Sequence, residues 1–151
     1  MTKNGLLAQL AATKTETSQY FDLSESDLTK MHREKSWNIR QILHHLADTE
    51  MILHTRIKKI IAEPKQVVWN CDQDDWNDAF GYFEADLGVK KQAFEVTRQL
   101  NIELIEKFYD KFWQKEFVHS EMGLRLAKDE FEKIGWHNEK HLEQIRKALG
   151  K

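Results

Sequence analysis

Pro64 is the only proline in 151 residues, and six glycines accompany it, so most of this chain lacks the residues that punctuate turns and stop helices. That scarcity argues against a loop-rich all-β fold. The apolar spacing between the breaks argues for helices. Residues 2–20 place Leu6, Leu7, Leu10, Thr13, Thr17 and Tyr20 at mixed three- and four-residue steps, the period of one helical face. Asp22, Ser24, Ser26 and Asp27 then interrupt it. Ser36 is the candidate N-cap of a second helix over residues 37–62, which Pro64 ends. At about 1.5 Å per residue that helix spans nearly 40 Å, a length suited to a bundle.

Residues 64–85 hold polar and aromatic runs without a sustained period, Trp69 to Asp72 and Asp74 to Trp76 among them, and read as a long crossover with at most one short helical turn. A third helix is expected over residues 86–112, with Gly88 near its start and Phe94, Leu100, Ile105 and Phe108 on its buried side. Residues 113–125 read as a hairpin-like excursion. A last helix over residues 127–149 carries Phe131, Ile134, Leu142 and Ile145 as its apolar stripe, with Asn138 on the same side. Four long amphipathic helices and a long crossover predict an all-α four-helix bundle, in one domain over residues 1–151.

Charge and cysteine usage narrow the function. The 23 Lys and Arg nearly balance 25 Asp and Glu, and no basic stripe collects to track phosphates, so nucleic acid is not an expected partner. No apolar run approaches the roughly 20 residues that span a bilayer, so no membrane partner is expected either. Cys71 is alone and forms no internal disulfide, and the N-terminus lacks a signal-peptide pattern. A reducing cytoplasm is the expected location.

The chemistry is concentrated in histidines. His137 and His141 stand four residues apart between Ile134 and Ile145, on one helical face about a turn apart, where both imidazoles can serve a single ion. Bundles build metal sites from facing helices, so a third ligand is expected from helix two, which offers His44, His45 and His54. Helical phase aligns His45 with Ile42, Thr49 and Ile52 and turns His44 about 100° away. Phase favours His45 and leaves His44 open.

The run from Ser36 to Glu50 (Ser-Trp-Asn-Ile-Arg-Gln-Ile-Leu-His-His-Leu-Ala-Asp-Thr-Glu), followed by Glu121-Met122-Gly123 and by Trp136-His137 to His141-Leu142, resembles the signatures of the DinB/YfiT-like family of bacterial four-helix metalloproteins. The resemblance covers most of the chain. It implies metal ligation by His45, His137 and His141, with positions left open for chemistry, and a divalent transition metal of the zinc or nickel type. It also implies activities of two kinds, transfer of a low-molecular-weight thiol such as bacillithiol or mycothiol and the reactions of candidate metal-dependent hydrolases. The reaction partner is then a small-molecule substrate or thiol, and a homodimer paired through bundle helices is a further expectation. A non-catalytic bundle, possessing only a structural ion or serving stress response, is the alternative. Asp48, Glu50 and Gln144 are candidates to accept from the outer imidazole N–H groups.

Other patterns weigh less. The zincin motif requires glutamate directly after the first histidine, where this chain has Asn138. The one Glu-x-x-His match, Glu116 to His119, falls in a loop and not on the helix a di-iron site needs. His119 is expected to be an exposed loop residue, with the mouth of a pocket as the alternative, His32 and His54 surface or helix-edge residues, and Cys71 a packed or idle thiol. The tryptophans are expected to anchor core and loops, with Trp69 and Trp76 as possible walls of a pocket.

Overall fold

The computed structural model describes residues 1–65 and 67–151. In chain order it contains α1 (Lys3–Tyr20), α2 (Glu25–Leu28), α3 (Ile39–Ala62), β1 (Val67–Val68), α4 (Gln73–Ala79), α5 (Lys90–Phe112), β2 (Glu116–His119), β3 (Gly123–Leu126) and α6 (Ala127–Ala148). The long helices α1, α3, α5 and α6 form the bundle. The start of α1 pairs with the end of α5 through Lys3 and Asp110 at 2.5 Å, so these two are antiparallel. Glu50 of α3 meets Arg98 of α5 and His54 meets Asn101, so α3 and α5 run parallel. His45 meets His137 and Arg56 meets Glu130, so α3 and α6 are antiparallel. The order is up, down, down, up, with α1 and α3 at opposite corners and each packed on both α5 and α6.

Because α3 and α5 point the same way, the chain must travel back along the bundle between them. That return is the crossover, and it is more structured than its sequence suggested. Asp72 caps α4 by accepting from Asp74 N and Asp75 N at 3.1 and 3.0 Å. The strand β1 adds to the hairpin β2–β3, pairing parallel to β2 with Val68 opposite His119, while β2 and β3 pair antiparallel from Glu116–Leu126 to His119–Gly123. A two-residue strand carries too little pattern to announce itself; its partner supplies the order.

Several boundaries move for identifiable reasons. The cap of α3 is Asn38, not Ser36: Asn38 Oδ1 accepts from Gln41 N and Gln41 Oε1 accepts from Asn38 N, both at 2.9 Å, a reciprocal capping box. The Ser36 hydroxyl instead donates to Arg33 O at 2.8 Å. Helix α5 begins at Lys90 because Gly88 takes φ +50° in the preceding turn, a conformation a glycine adopts without strain. Leu100 and Phe108 are exposed, while Phe94, Thr97, Arg98, Asn101, Ile105 and Tyr109 face inward. Apolar spacing alone misphased α5 because half of its buried face is polar.

That polar face explains the cross-section. One apolar cluster gathers Leu6, Leu10, Leu53, Ile57, Ile105 and Phe131, and a second gathers Ile39, Ile42, Leu43, Phe94, Leu142 and Ile145. Between them in every long helix sit polar residues. Arg98, fully buried, donates to both carboxylate oxygens of Glu50 at 2.8 Å, to Asn138 Oδ1 at 2.7 Å, to Thr13 Oγ1 at 2.9 Å and to Leu10 O at 3.2 Å. Asn138 in turn bonds Thr17. One guanidinium therefore ties all four long helices and fixes their relative heights.

Candidate metal centre

The α3–α6 seam at the level of that polar layer holds the three histidines. His45, His137 and His141 present ring nitrogens that all lie within 4.8 Å of one another. His45 Nε2 and His137 Nε2 are 2.8 Å apart, and the ring centroids stand 4.6 to 4.8 Å from each other, all edge to face. Two nitrogens bound to one zinc at about 2.0–2.1 Å in tetrahedral geometry would sit roughly 3.3 Å apart. The 2.8 Å pair and the 4.8 Å outer limit bracket that spacing, so the donor set fits an ion.

Protonation fits as well. Burial pushes His45 down to about 3, with the His141 charge adding to it. Burial holds His137 well below its ordinary value, reinforced by His141 and His45. His141 is lowered by burial and partly lifted by its bond to Gln144. All three rings are neutral at physiological pH, the form that ligates.

Of the candidate acceptors, Gln144 is the one at the site: its Oε1 accepts from His141 Nδ1 at 2.8 Å, which puts the proton on Nδ1 and leaves the Nε2 lone pair free. Asp48 instead pairs with Tyr82 and Lys90, and Glu50 with Arg98. Asn138, in the zincin glutamate position, is committed to Arg98 and Thr17. Glu139 pairs with Arg146 at 2.8 Å, away from the ligand face.

His44 and His45 separate by role. The His44 Nε2–H donates to Ala85 O at 3.0 Å, and its ring stacks on Tyr82 at 4.2 Å. It fastens the crossover to α3 while its neighbour faces α6. His54 bonds Asn101 Oδ1 at 2.8 Å and is half-buried, as is His32.

Trp37 was expected only as an anchor, yet its ring stands 5.1 Å from His45 and stacks nearly parallel to His141 at 6.2 Å. It walls the centre. Trp69 and Trp76, for which pocket walls were the alternative to anchoring, do not: Trp69 is 77% exposed, and Trp76 packs against Phe80. His119 is not exposed but 3% accessible, buried in β2.

The centre is reached from outside. A cleft of about 350 Å³ is lined by His45, His137, Thr49, Arg56, Cys71 and Lys133. A second, of about 220 Å³, reaches His141 and Gln144 past Trp37 and Arg33. Both touch Gln73 and Asp74, so the start of α4 stands between them. Burial raises the Cys71 thiol although Arg56 lies near enough to oppose it, which keeps Cys71 protonated in the first cleft.

Comparison with known proteins agrees with this architecture. The sequence model of the DinB superfamily matches residues 9–145. A candidate metal-dependent hydrolase of Oceanobacillus iheyensis is 31% identical over 130 residues, 84% of this chain and 73% of that protein. One from Halalkalibacterium halodurans is 28% identical over 127 residues, 84% of this chain and 74% of that protein. The solved structure of YfiT from Bacillus subtilis, described as a candidate metal-dependent hydrolase with an unusual four-helix bundle topology, superposes with a TM-score of 0.85 at 20% identity, covering 98% of this chain and 84% of that one. Among the described residues no helix is long and apolar enough to cross a membrane.

Proposed function

The chain belongs to the DinB superfamily, and on that premise we propose that it is a metal-dependent enzyme acting on small molecules, with His45, His137 and His141 holding a divalent ion of the zinc or nickel type. The observation that carries this reading is the convergence of three neutral imidazoles, two of which, His45 and His137, line an open cleft of about 350 Å³. An ion that only tied α3 to α6 would be sealed and fully ligated by protein. The access to His45 and His137 therefore favours an enzyme over a structural site.

When bound, such an ion supplies Lewis acidity and lowers the pKa of a water or thiol. The protein's own residues do the rest. The three histidines bind, Gln144 fixes the His141 tautomer, and Trp37 covers the His45 and His141 rings on one side. Arg56 and Lys133 also line the cleft, each beside the Glu130 carboxylate at 3.7 and 3.8 Å. The acids on this cleft are Asp72 and Asp74, both exposed and at the start of α4, so among the described residues no buried carboxylate lines it as a general base.

Two reactions suit this set, S-transfer from a low-molecular-weight thiol of the bacillithiol or mycothiol type and a related hydrolysis. The first test is metal content after native purification. One ion per chain is expected in the wild type and loss of it in His137→Ala; unchanged stoichiometry in the variant would overturn the site. A screen of thiols against electrophiles on the metal-loaded protein then separates transfer from hydrolysis.

A further inference from the structure

The hairpin carries a buried imidazole that the centre does not use. His119 Nδ1 accepts two backbone N–H bonds, from Glu121 at 3.2 Å and Met122 at 3.4 Å. The turn that aims them is closed by Gly123 at φ +72°, so the Glu-Met-Gly run noted in the sequence serves to hold this ring. A nitrogen that accepts carries no proton, so in the neutral ring the hydrogen sits on Nε2. That Nε2 is buried and has no hydrogen-bond partner among the described residues, although the ring lines a cavity of about 470 Å³ between the hairpin and α6.

The other walls say what belongs there. Met122 and Trp136 are 60% and 57% exposed and offer apolar surface. The charged groups of the lining each have an opposite partner: Arg125 with Asp129 at 3.2 Å, Glu130 with Lys133 at 3.8 Å and Arg56 at 3.7 Å, and Glu132 with the N-terminal ammonium at 3.0 Å and Lys128 at 3.7 Å. No unbalanced charge is left to recruit an ion. The cavity's size is that of a small-molecule site, its accessible surface is mostly apolar, and Glu130 Oε2 is a second buried atom of its lining without a hydrogen-bond partner among the described residues.

We propose that this cavity binds an uncharged, flat, apolar-bodied molecule whose carbonyl-type oxygen accepts the hydrogen bond from His119 Nε2 while its ring system lies against Trp136 and Met122. Trp136 precedes His137, and Lys133, one turn earlier, lines both this cavity and the cleft at His45 and His137. The occupant therefore lies beside the metal centre, yet its binding does not depend on an ion.

The test titrates full-length protein, metal-free and metal-loaded, with 2-acetylnaphthalene and with 2-ethylnaphthalene, which share a ring body and differ in the acceptor oxygen. Tryptophan fluorescence reports affinity and the ¹⁵N resonance of His119 Nε2 reports the hydrogen bond. The ketone should bind at least tenfold more tightly than the hydrocarbon. His119→Asn, whose side-chain oxygen can still accept from the turn, should bring the ratio near one, and Trp136→Ala should weaken both ligands. Equal affinities in the wild type, or a ratio untouched by His119→Asn, would overturn the proposal. Should that variant not fold, an Nε2 resonance that stays fixed on adding ketone overturns it equally. Metal stoichiometry is measured separately, so failure here and failure of the metal-centre reading remain distinguishable.

Discussion

Arg98→Met should remove about 3–5 kcal/mol of stability, the usual cost of taking one partner from a buried ion pair. Arg98 is fully buried and makes its bonds to Glu50, Asn138, Thr13 and Leu10 within the polar layer. Methionine fills much of the same volume but donates nothing. Glu50, 4% exposed, would keep its carboxylate buried with only Asn101 Nδ2 at 2.7 Å to answer it, and Asn138 Oδ1 would keep only its weaker contact with the Thr17 hydroxyl at 3.4 Å. For a domain of this size each kcal/mol moves Tm by about 2–4 °C, so a fall of roughly 6–20 °C is expected. Urea and thermal unfolding followed by circular dichroism read the loss. The double variant Arg98→Met/Glu50→Leu removes both charges and should recover most of it, because an apolar replacement of a buried pair is often neutral or stabilising. A single variant that loses under about 1 kcal/mol, or a double variant no more stable than the single, would refute the claim that Arg98 is held by an otherwise uncompensated carboxylate.

Two further outcomes follow from the centre. Gln144→Leu leaves His141 in place but removes the acceptor of its Nδ1–H; metal affinity, read by chelator competition, should fall about 10- to 100-fold while the metal-free melting curve changes little. The metal-free protein should lose stability on acidification. His45 is held to about 3 in the fold against 6.5 in an unfolded chain, so between those values the unfolded state binds a proton that the folded state refuses. Stability is then level above about pH 7 and falls as pH drops from about 6.5 toward 3, by up to about 1.4 kcal/mol per pH unit for each histidine so held. Thermal melts at pH 7.5, 6 and 5 check this, and a midpoint at pH 5 equal to that at pH 7.5 would refute it.

The legible parts of the sequence were those whose signal is local. The faces of α1 and α6 followed apolar spacing closely, with Leu6, Leu10, Thr13, Thr17 and Tyr20 buried on α1 and Phe131, Ile134, Asn138, Leu142 and Ile145 on α6. The pair His137 and His141 was visible because i and i+4 share a face whatever surrounds the helix. The capping box at Asn38 is equally local, and it starts the helix in preference to Ser36. A residue with glutamine three places on is the stronger signal of the two.

Other features depended on groups far apart in the chain. The burial of Arg98, Asn101 and Thr97 reverses the expected face of α5, and only the Glu50 carboxylate of α3, the Asn138 amide of α6 and the Thr13 hydroxyl and Leu10 carbonyl of α1 make that arrangement tolerable. His119 lay in a stretch that read as an exposed excursion until β1 paired beside it. Trp37 became a wall of the centre because α6 brings His141 against it.

The sequence by itself determined that the chain is helical, where its long helices run, and that two imidazoles face one way on the last of them, since helical period and capping act within a few residues. Tertiary structure decided the rest. The up-down-down-up order sets α3 antiparallel to α6 and brings His45 within reach of His137 and His141, selects Gln144 as the acceptor, and opens the cleft beside them. Those outcomes depend on how helices distant in sequence pack around a shared polar layer, and a contact between residues 45 and 137 leaves no periodic trace in either segment.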